Sequence, residues 1–315
     1  MTADNEYTPM TLTQVAPELR APISKMPPIP IGNKLGRWFI RKAMNFLVRE
    51  KDYDGVSIEK RMLSKDIEIH IYTPEQALTD AGLLWIHGGG LVIGSAKQDH
   101  KFCADTAREL GIIVVSTEYR LAPESPFPAA LDDCHTAWMW LQASASELNI
   151  DATRIAIGGQ SAGGGLAAGL VQRIHDDGGI QPRAQWLFCP MLDDRTALRY
   201  ELDDINHFIW NNQNNRIGWH AYLGIHFGSE QTPAYAVPAR RDDLTGLPSA
   251  WIGTGDIELF FVEDKTYAER LMASGVDCLL HVVEGGPHGF ESIAPHTKLA
   301  QDYLAQSRAW LASFI

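Results

Sequence analysis

The sequence predicts an α/β protein: a doubly wound, mostly parallel sheet with helices on both faces and a helical cap over the strand ends. Three observations predict it. Six short apolar runs (82–86, 112–116, 155–157, 186–189, 250–253 and 279–283) alternate with segments of helical period. Such unbroken apolar runs suit strands buried on both faces. One long polar stretch, 194–238, breaks that rhythm. Finally, Ile155-Ala156-Ile157-Gly158-Gly159-Gln160-Ser161-Ala162-Gly163 reads as a strand that runs through Gly-X-Ser-X-Gly into a helix.

Helical patterns over 99–110, 128–141, 161–174, 261–274 and 295–314 supply the crossovers. The first twenty residues are polar, which predicts a poorly ordered start. The proline joint Met26-Pro27-Pro28-Ile29-Pro30 precedes a segment in which Phe39, Ala43, Phe46 and Leu47 recur at helical spacing, an amphipathic helix by period. Residues 66–73, Asp-Ile-Glu-Ile-His-Ile-Tyr-Thr, alternate strictly, as an edge strand with one wet face would. The 194–238 insertion is rich in Asn and interleaves Phe208, Trp210, Trp219 and Tyr222. A loop this long inside a compact fold is usually a lid or binding element. The resulting division is an N-terminal segment, 1–50, that contributes to the cap, and a main α/β domain, 51–315, that carries the cap insertion at about 194–238.

Composition narrows the function. Of 315 residues, 45% are hydrophobic and 21% charged, as in a globular protein with a sizeable core. Net charge is 27 − 39 = −12, with no basic run, which argues against nucleic acid, anionic membranes and strongly anionic substrates. No apolar stretch reaches the ~18 residues of a membrane span, and no signal-peptide core opens the chain; the expectation is a cytoplasmic protein. Cys103, Cys134, Cys189 and Cys278 are widely spaced with no Cys-X-X-Cys. They predict free thiols rather than disulfides or a zinc site, and no metal or cofactor is expected.

The chemistry concentrates at strand ends. Gly-X-Ser-X-Gly between strand and helix is the context of a nucleophile elbow, which presents Ser161 above the sheet. A serine hydroxyl needs a base. Of 11 histidines, His288 qualifies because it sits in a glycine-rich loop late in the chain, after the last strand. His87 opens Gly88-Gly89-Gly90 and reads as a brace for that loop. The glycine amides, with the amide of Ala162, predict an oxyanion hole. A phosphate-binding loop would need a Gly-Lys-Ser/Thr ending or Gly-X-Gly-X-X-Gly, and neither occurs. The third catalytic member is open on residue chemistry alone: Asp256 and Glu258 both follow the 250–253 strand. Phe208 and Trp210 are candidates for an apolar substrate pocket.

His87-Gly88-Gly89-Gly90, Tyr119-Arg120-Leu121-Ala122-Pro123-Glu124, Pro128 to Asp133, Gly159 to Gly164 and Pro287-His288-Gly289-Phe290 together resemble the hormone-sensitive-lipase-like bacterial esterases (family IV carboxylesterases). The resemblance spans roughly residue 65 to the C-terminus. It implies an α/β-hydrolase fold, cofactor-free cleavage of carboxylic esters, a Ser161–acid–His288 triad, and an oxyanion hole of Gly89, Gly90 and Ala162. Two departures stand out. Gln160 occupies a position usually Asp, Glu or Thr in that family. The family acid lies in Gly-X-X-Asp-Pro-Leu, and laying Gly255 on its glycine places Glu258 on the acid, with Tyr267-Ala268 and Leu271 matching the next helix without a gap. By the resemblance, then, Glu258 is the acid and Asp256 a turn residue. The Tyr119–Glu124 and Asp132-Asp133 segments read as bracing. The function expected is hydrolysis of short- to medium-chain esters through an acyl-enzyme, by a protein that is monomeric or a homodimer. Its rivals are a peptidase or amidase on the same fold and a non-catalytic small-molecule receptor.

Overall fold

The computed structural model describes residues 8–27, 29–47 and 53–315. Eight strands form one sheet: β1 (Val56–Met62), β2 (Glu68–Pro74), β3 (Gly82–Ile86), β4 (Ile113–Glu118), β5 (Ile155–Gln160), β6 (Gln185–Phe188), β7 (Ala250–Gly255) and β8 (Cys278–Val283). Their order is β1-β2-β4-β3-β5-β6-β7-β8. β1 and β2 pair antiparallel, β2 joins β4 antiparallel, and every later pairing is parallel. The α-helices among the described residues are α1 (Arg20–Ile23), α2 (Lys34–Leu47), α3 (His100–Leu110), α4 (Ala129–Ala143), α5 (Ala162–Asp177), α6 (Asn212–Leu223), α7 (Phe261–Ala273), α8 (Phe290–Ile293) and α9 (Lys298–Ala312). None is long and apolar enough to cross a membrane.

Side chains alternate across the pleat and feed two cores. Leu84, Ile86, Ile157 and Ile252 point to the face covered by α4, α5 and α7. Leu83, Trp85, Trp186 and Trp251 point to the face covered by α3 and α9. The parallel strands are buried on both faces, which is why their sequences read as unbroken apolar runs.

Three expectations need correction. Residues 66–73 are not the edge: β1 covers β2, and the polar face of β2 is buried as well. His70, on that face, is fully buried and stacks on His100 of α3, with ring centroids 5.1 Å apart. Alternation reported a polar face, but a helix covers it. Nor is the described part of the N-terminal segment loose. Val15, Leu19 and Ile23, spaced four apart, are buried in the core with Val283 and Phe290. Met10 donates its amide to Ile205 and Ala16 donates to Gly285. Finally, α2 forms, but Phe39 is 67% exposed. The helix presents Arg41 inward instead, whose guanidinium donates to the carbonyls of Val92 and Ala122 and pairs with Glu124. The side chains of Phe46 and Leu47 lie outside the described residues.

The 194–238 insertion comprises short 3₁₀ turns and α6. It lies over the glycine loop after β3: a Cβ added to Gly90 would fall 2.1 Å from the Trp210 ring, and one added to Gly218 would meet the Gly90 carbonyl at 2.7 Å.

Candidate active site

Each side chain of the candidate site follows the carboxyl end of a parallel strand. Ser161 follows β5, at φ 56° and ψ −121°. A non-glycine residue rarely adopts that conformation, and here Ser161 is held by its own amide donating to Phe188 at 2.8 Å. The flanking glycines are sterically required. A Cβ at Gly159 would lie 2.4 Å from the Gly163 carbonyl, and one at Gly163 would lie 2.1 Å from the Ile86 carbonyl. The turn therefore closes only with glycine at 159 and 163.

His288, from the loop after β8, turns Nε2 to Ser161 Oγ at 2.8 Å and Nδ1 to Glu258 Oε2 at 2.5 Å. The three residues are 6%, 6% and 4% exposed. Glu258 Oε1 accepts from the Thr254 hydroxyl, so both carboxylate oxygens are occupied and the group is fixed in rotation. Phe260 packs edge-on against the imidazole at 5.2 Å. Asp256 stands apart: its Oδ1 accepts the Gly285 amide at 2.7 Å, tying the end of β7 to the histidine loop. The structure thus brings together Ser161, His288 and Glu258 and leaves Asp256 as a turn brace.

The glycine loop faces this group. Gly89 and Gly90 have φ of 129° and 58°. Among the described residues neither amide donates to a protein acceptor, whereas the Gly89 carbonyl is taken by Val92 and Ile93. Ala162 opens α5, where first-turn amides have no acceptor in the helix. His87 is buried beneath the loop and stacked on Tyr119 at 4.2 Å, with Nδ1 on the Gly88 carbonyl, and Tyr119 donates to the His87 carbonyl at 2.9 Å. Burial holds this imidazole down at about 4, so it is neutral at pH 7. Asp133 takes a forked pair of bonds from Arg120, and Asp132 pairs with Arg173. Trp210 is buried against Gly90, while Phe208 is half-buried on the opposite core and accepts the Trp210 amide through its carbonyl.

Four neighbours had no predicted role at the site. Gln160 donates to Glu291 Oε1 at 2.5 Å and to Ser292 Oγ at 2.8 Å, linking the nucleophile turn to α8 just past His288. Burial pushes the Glu291 carboxyl up. Asp264 is fully buried in α7, and burial, with Glu258 and Glu263 nearby, pushes it well above the usual carboxylate range. Thr254 is the third. Cys189, just past β6, is the fourth: its sulfur and one ligating atom from each of Glu258 and His288 lie within 4.8 Å of one another. A signal for Cys189 did exist, because the residue past β6 must neighbour the residue past β5. All four cysteines are free.

Comparison with known proteins gives the family of the chain. Residues 83–292 match a family described as the alpha/beta hydrolase fold. Carboxylesterase NlhH of Mycobacterium tuberculosis is 31% identical over 258 residues, 78% of this chain and 75% of its own length. An arylesterase of Saccharolobus solfataricus is 30% identical over 260 residues, 80% of this chain and 83% of its own. Among solved structures, a bacterial heroin esterase superposes with a TM-score of 0.89 at 34% identity, covering 96% of this chain and 99% of its own. Esterase LipW of Mycobacterium marinum gives 0.87 at 33%, covering 98% of each chain.

Proposed function

Since this chain belongs to the alpha/beta hydrolase fold family, in its hormone-sensitive-lipase-like esterase branch, we propose that it hydrolyses small carboxylic esters at Ser161. The observation that carries the proposal is the unbroken line Ser161 Oγ–His288 Nε2 at 2.8 Å and His288 Nδ1–Glu258 Oε2 at 2.5 Å. Glu258 holds the imidazole with its proton on Nδ1, which leaves Nε2 free to accept the serine proton as Oγ attacks the ester carbonyl. The amides of Gly89, Gly90 and Ala162 receive the negative charge that develops on the carbonyl oxygen; removing one such donor costs ~2.7–4 kcal/mol in a well-studied serine hydrolase. The imidazolium then protonates the leaving alcohol. Water enters, gives its proton to Nε2 and releases the acid.

Residues 194–238 and the N-terminal segment within 1–50 are read as a cap on the 51–315 catalytic domain. The Met10–Ile205 bond and the 3.7 Å approach of the Gly32 position to Ile217 support treating them as one unit. Trp210, against Gly90, and Phe208, on the other core, are assigned to apolar pocket walls, and short to medium acyl chains to the pocket. Free thiols support a reducing, cytoplasmic setting. The acidic net charge of −12 argues against nucleic-acid or membrane partners. The outer strand β8 carries exposed Leu279 and Val282, the feature that supports a homodimer.

The test is Ser161→Ala. It should abolish ester turnover and labelling by a fluorophosphonate probe while circular dichroism stays unchanged. Retention of a tenth of the activity would overturn the assignment. A receptor on this fold would not label in the parent protein, and an amidase would cleave anilides as fast as esters.

A further inference from the structure

Cys189 is the part of the site for which ester hydrolysis has no use. It follows β6 with a positive φ of 35° and is 4% exposed, and its amide donates to Gly253 at 2.7 Å. That position seats its sulfur beside the Glu258–His288 pair, with the three ligating atoms inside 4.8 Å. We propose that Cys189 Sγ, a Glu258 oxygen and His288 Nδ1 form a buried inhibitory site for a thiophilic divalent cation such as Zn²⁺ or Cd²⁺. The proposal rests on the esterase reading only for its effect on turnover, not for the binding itself.

The donor set fits such an ion. One thiolate, one imidazole and one carboxylate are the ligands Zn²⁺ prefers, at ~2.3 Å for sulfur and ~2.0–2.2 Å for nitrogen and oxygen. Hard cations such as Mg²⁺ want oxygen ligands and are poor matches. A tetrahedral ion needs its nitrogen and oxygen ligands about 3.4 Å apart. Glu258 would therefore withdraw by about 1 Å from its present 2.5 Å contact. Charge also balances in the filled site, since exchanging the thiol proton for the dication takes the site from one negative charge to neutral and leaves no net charge buried.

The proton balance explains the inhibition. In the active arrangement the neutral imidazole carries its proton on Nδ1. When the ion takes the Nδ1 lone pair, that proton moves to Nε2, and the ring stays neutral. The S–H bond breaks, the sulfur–metal bond forms, and the thiol proton leaves to solvent. Nε2 is now a donor and cannot accept the Ser161 proton. The substrate pocket is untouched, so kcat falls while KM holds.

The experiment titrates the full chain with Zn²⁺ or Cd²⁺, reading butyrate ester hydrolysis and, separately, the ultraviolet cadmium–thiolate charge-transfer band. The expected result is one equivalent of Cd²⁺, a thiolate band, and kcat loss that EDTA reverses. In Cys189→Ser the band should disappear and inhibition, relative to that variant's own metal-free rate, should weaken at least a hundredfold. Cys189→Ala should do the same and serves if the serine variant misfolds. Cys278→Ser, at the half-buried thiol, should change neither. Equal inhibition of Cys189→Ser, or a band that depends on Cys278, overturns the proposal. If fluorophosphonate labelling fails, the esterase reading falls, while the band still decides the metal site.

Discussion

The two carboxylates past β7 should respond to amide substitution in opposite ways. Glu258→Gln removes the negative charge that faces the imidazolium at the moment of catalysis. The amide still fits: its oxygen can face His288 Nδ1 and its nitrogen can face the Thr254 hydroxyl. Loss of charge is therefore the smallest effect. A unit pair ~4 Å apart at an effective dielectric of ~20 is worth about 4 kcal/mol, or ~10³ in rate at ~1.4 kcal/mol per decade. If the amide instead turns its nitrogen to Nδ1, the wrong tautomer is favoured and the loss approaches ~10⁴, the figure measured for this change in the chymotrypsin-type triad. Asp256→Asn leaves an amide oxygen that can still accept from the Gly285 amide, so at most the 2.7 Å bond is lost. That is comparable to a lost cap, about 1 kcal/mol, or roughly 2 °C of Tm for a chain of this size. The assay is kcat on a p-nitrophenyl butyrate, paired with thermal melts of each variant. We expect a fall of 10³–10⁴ with unchanged Tm for Glu258→Gln, and kcat within about tenfold of the parent for Asp256→Asn. Exchange of the two phenotypes would make Asp256 the orienting acid. Mild effects in both would show that neither carboxylate is.

Short acyl esters should be preferred: a butyrate or hexanoate ester should turn over faster than emulsified long-chain triglyceride, and the reverse order in a rate series would reject the pocket assignment. Activity should survive exhaustive dialysis against EDTA, because every proposed step uses a side chain or amide; loss restored by one added metal would contradict this. Acid should destabilise the fold through His87, whose imidazole burial holds at about 4. Because the unfolded ring protonates near ~6.5 and the folded one does not, this contribution is full above about pH 6.5 and is lost as pH falls toward 4, at ~1.4 kcal/mol per pH unit. Urea melts at pH 7 and 4.5 should show the parent losing about 2–3 kcal/mol relative to His87→Phe, which keeps the stack on Tyr119; a pH-independent gap would refute it.

How much the sequence disclosed depends on the range of the interaction. The nucleophile turn is local: Gly159 and Gly163 are required by contacts within a few residues and by one crossing strand, so strand–Gly-X-Ser-X-Gly–helix was readable directly. The choice between Asp256 and Glu258 was not local. Both follow β7, and only the register of a 30-residue separation from His288 decides which side chain reaches the ring. Resemblance supplied that register where residue chemistry left it open. The polar face of β2 misled because alternation reports polarity rather than exposure, and His70 is polar yet buried against α3. Gln160 and Cys189 stayed hidden because their meaning lies in partners 131 residues away, at Glu291, and on the neighbouring strand end.

The docking of Val15, Leu19 and Ile23 against Val283 and Phe290 has a consequence for synthesis. A ribosome makes the chain from its N-terminus at ~5–20 residues per second, so this apolar stripe emerges long before its partners exist. It stays uncovered until β8 and the histidine loop have left the tunnel. A chain that stalls or ends before residue 288 thus lacks more than its general base: it displays a sticky N-terminal stripe that the finished protein hides.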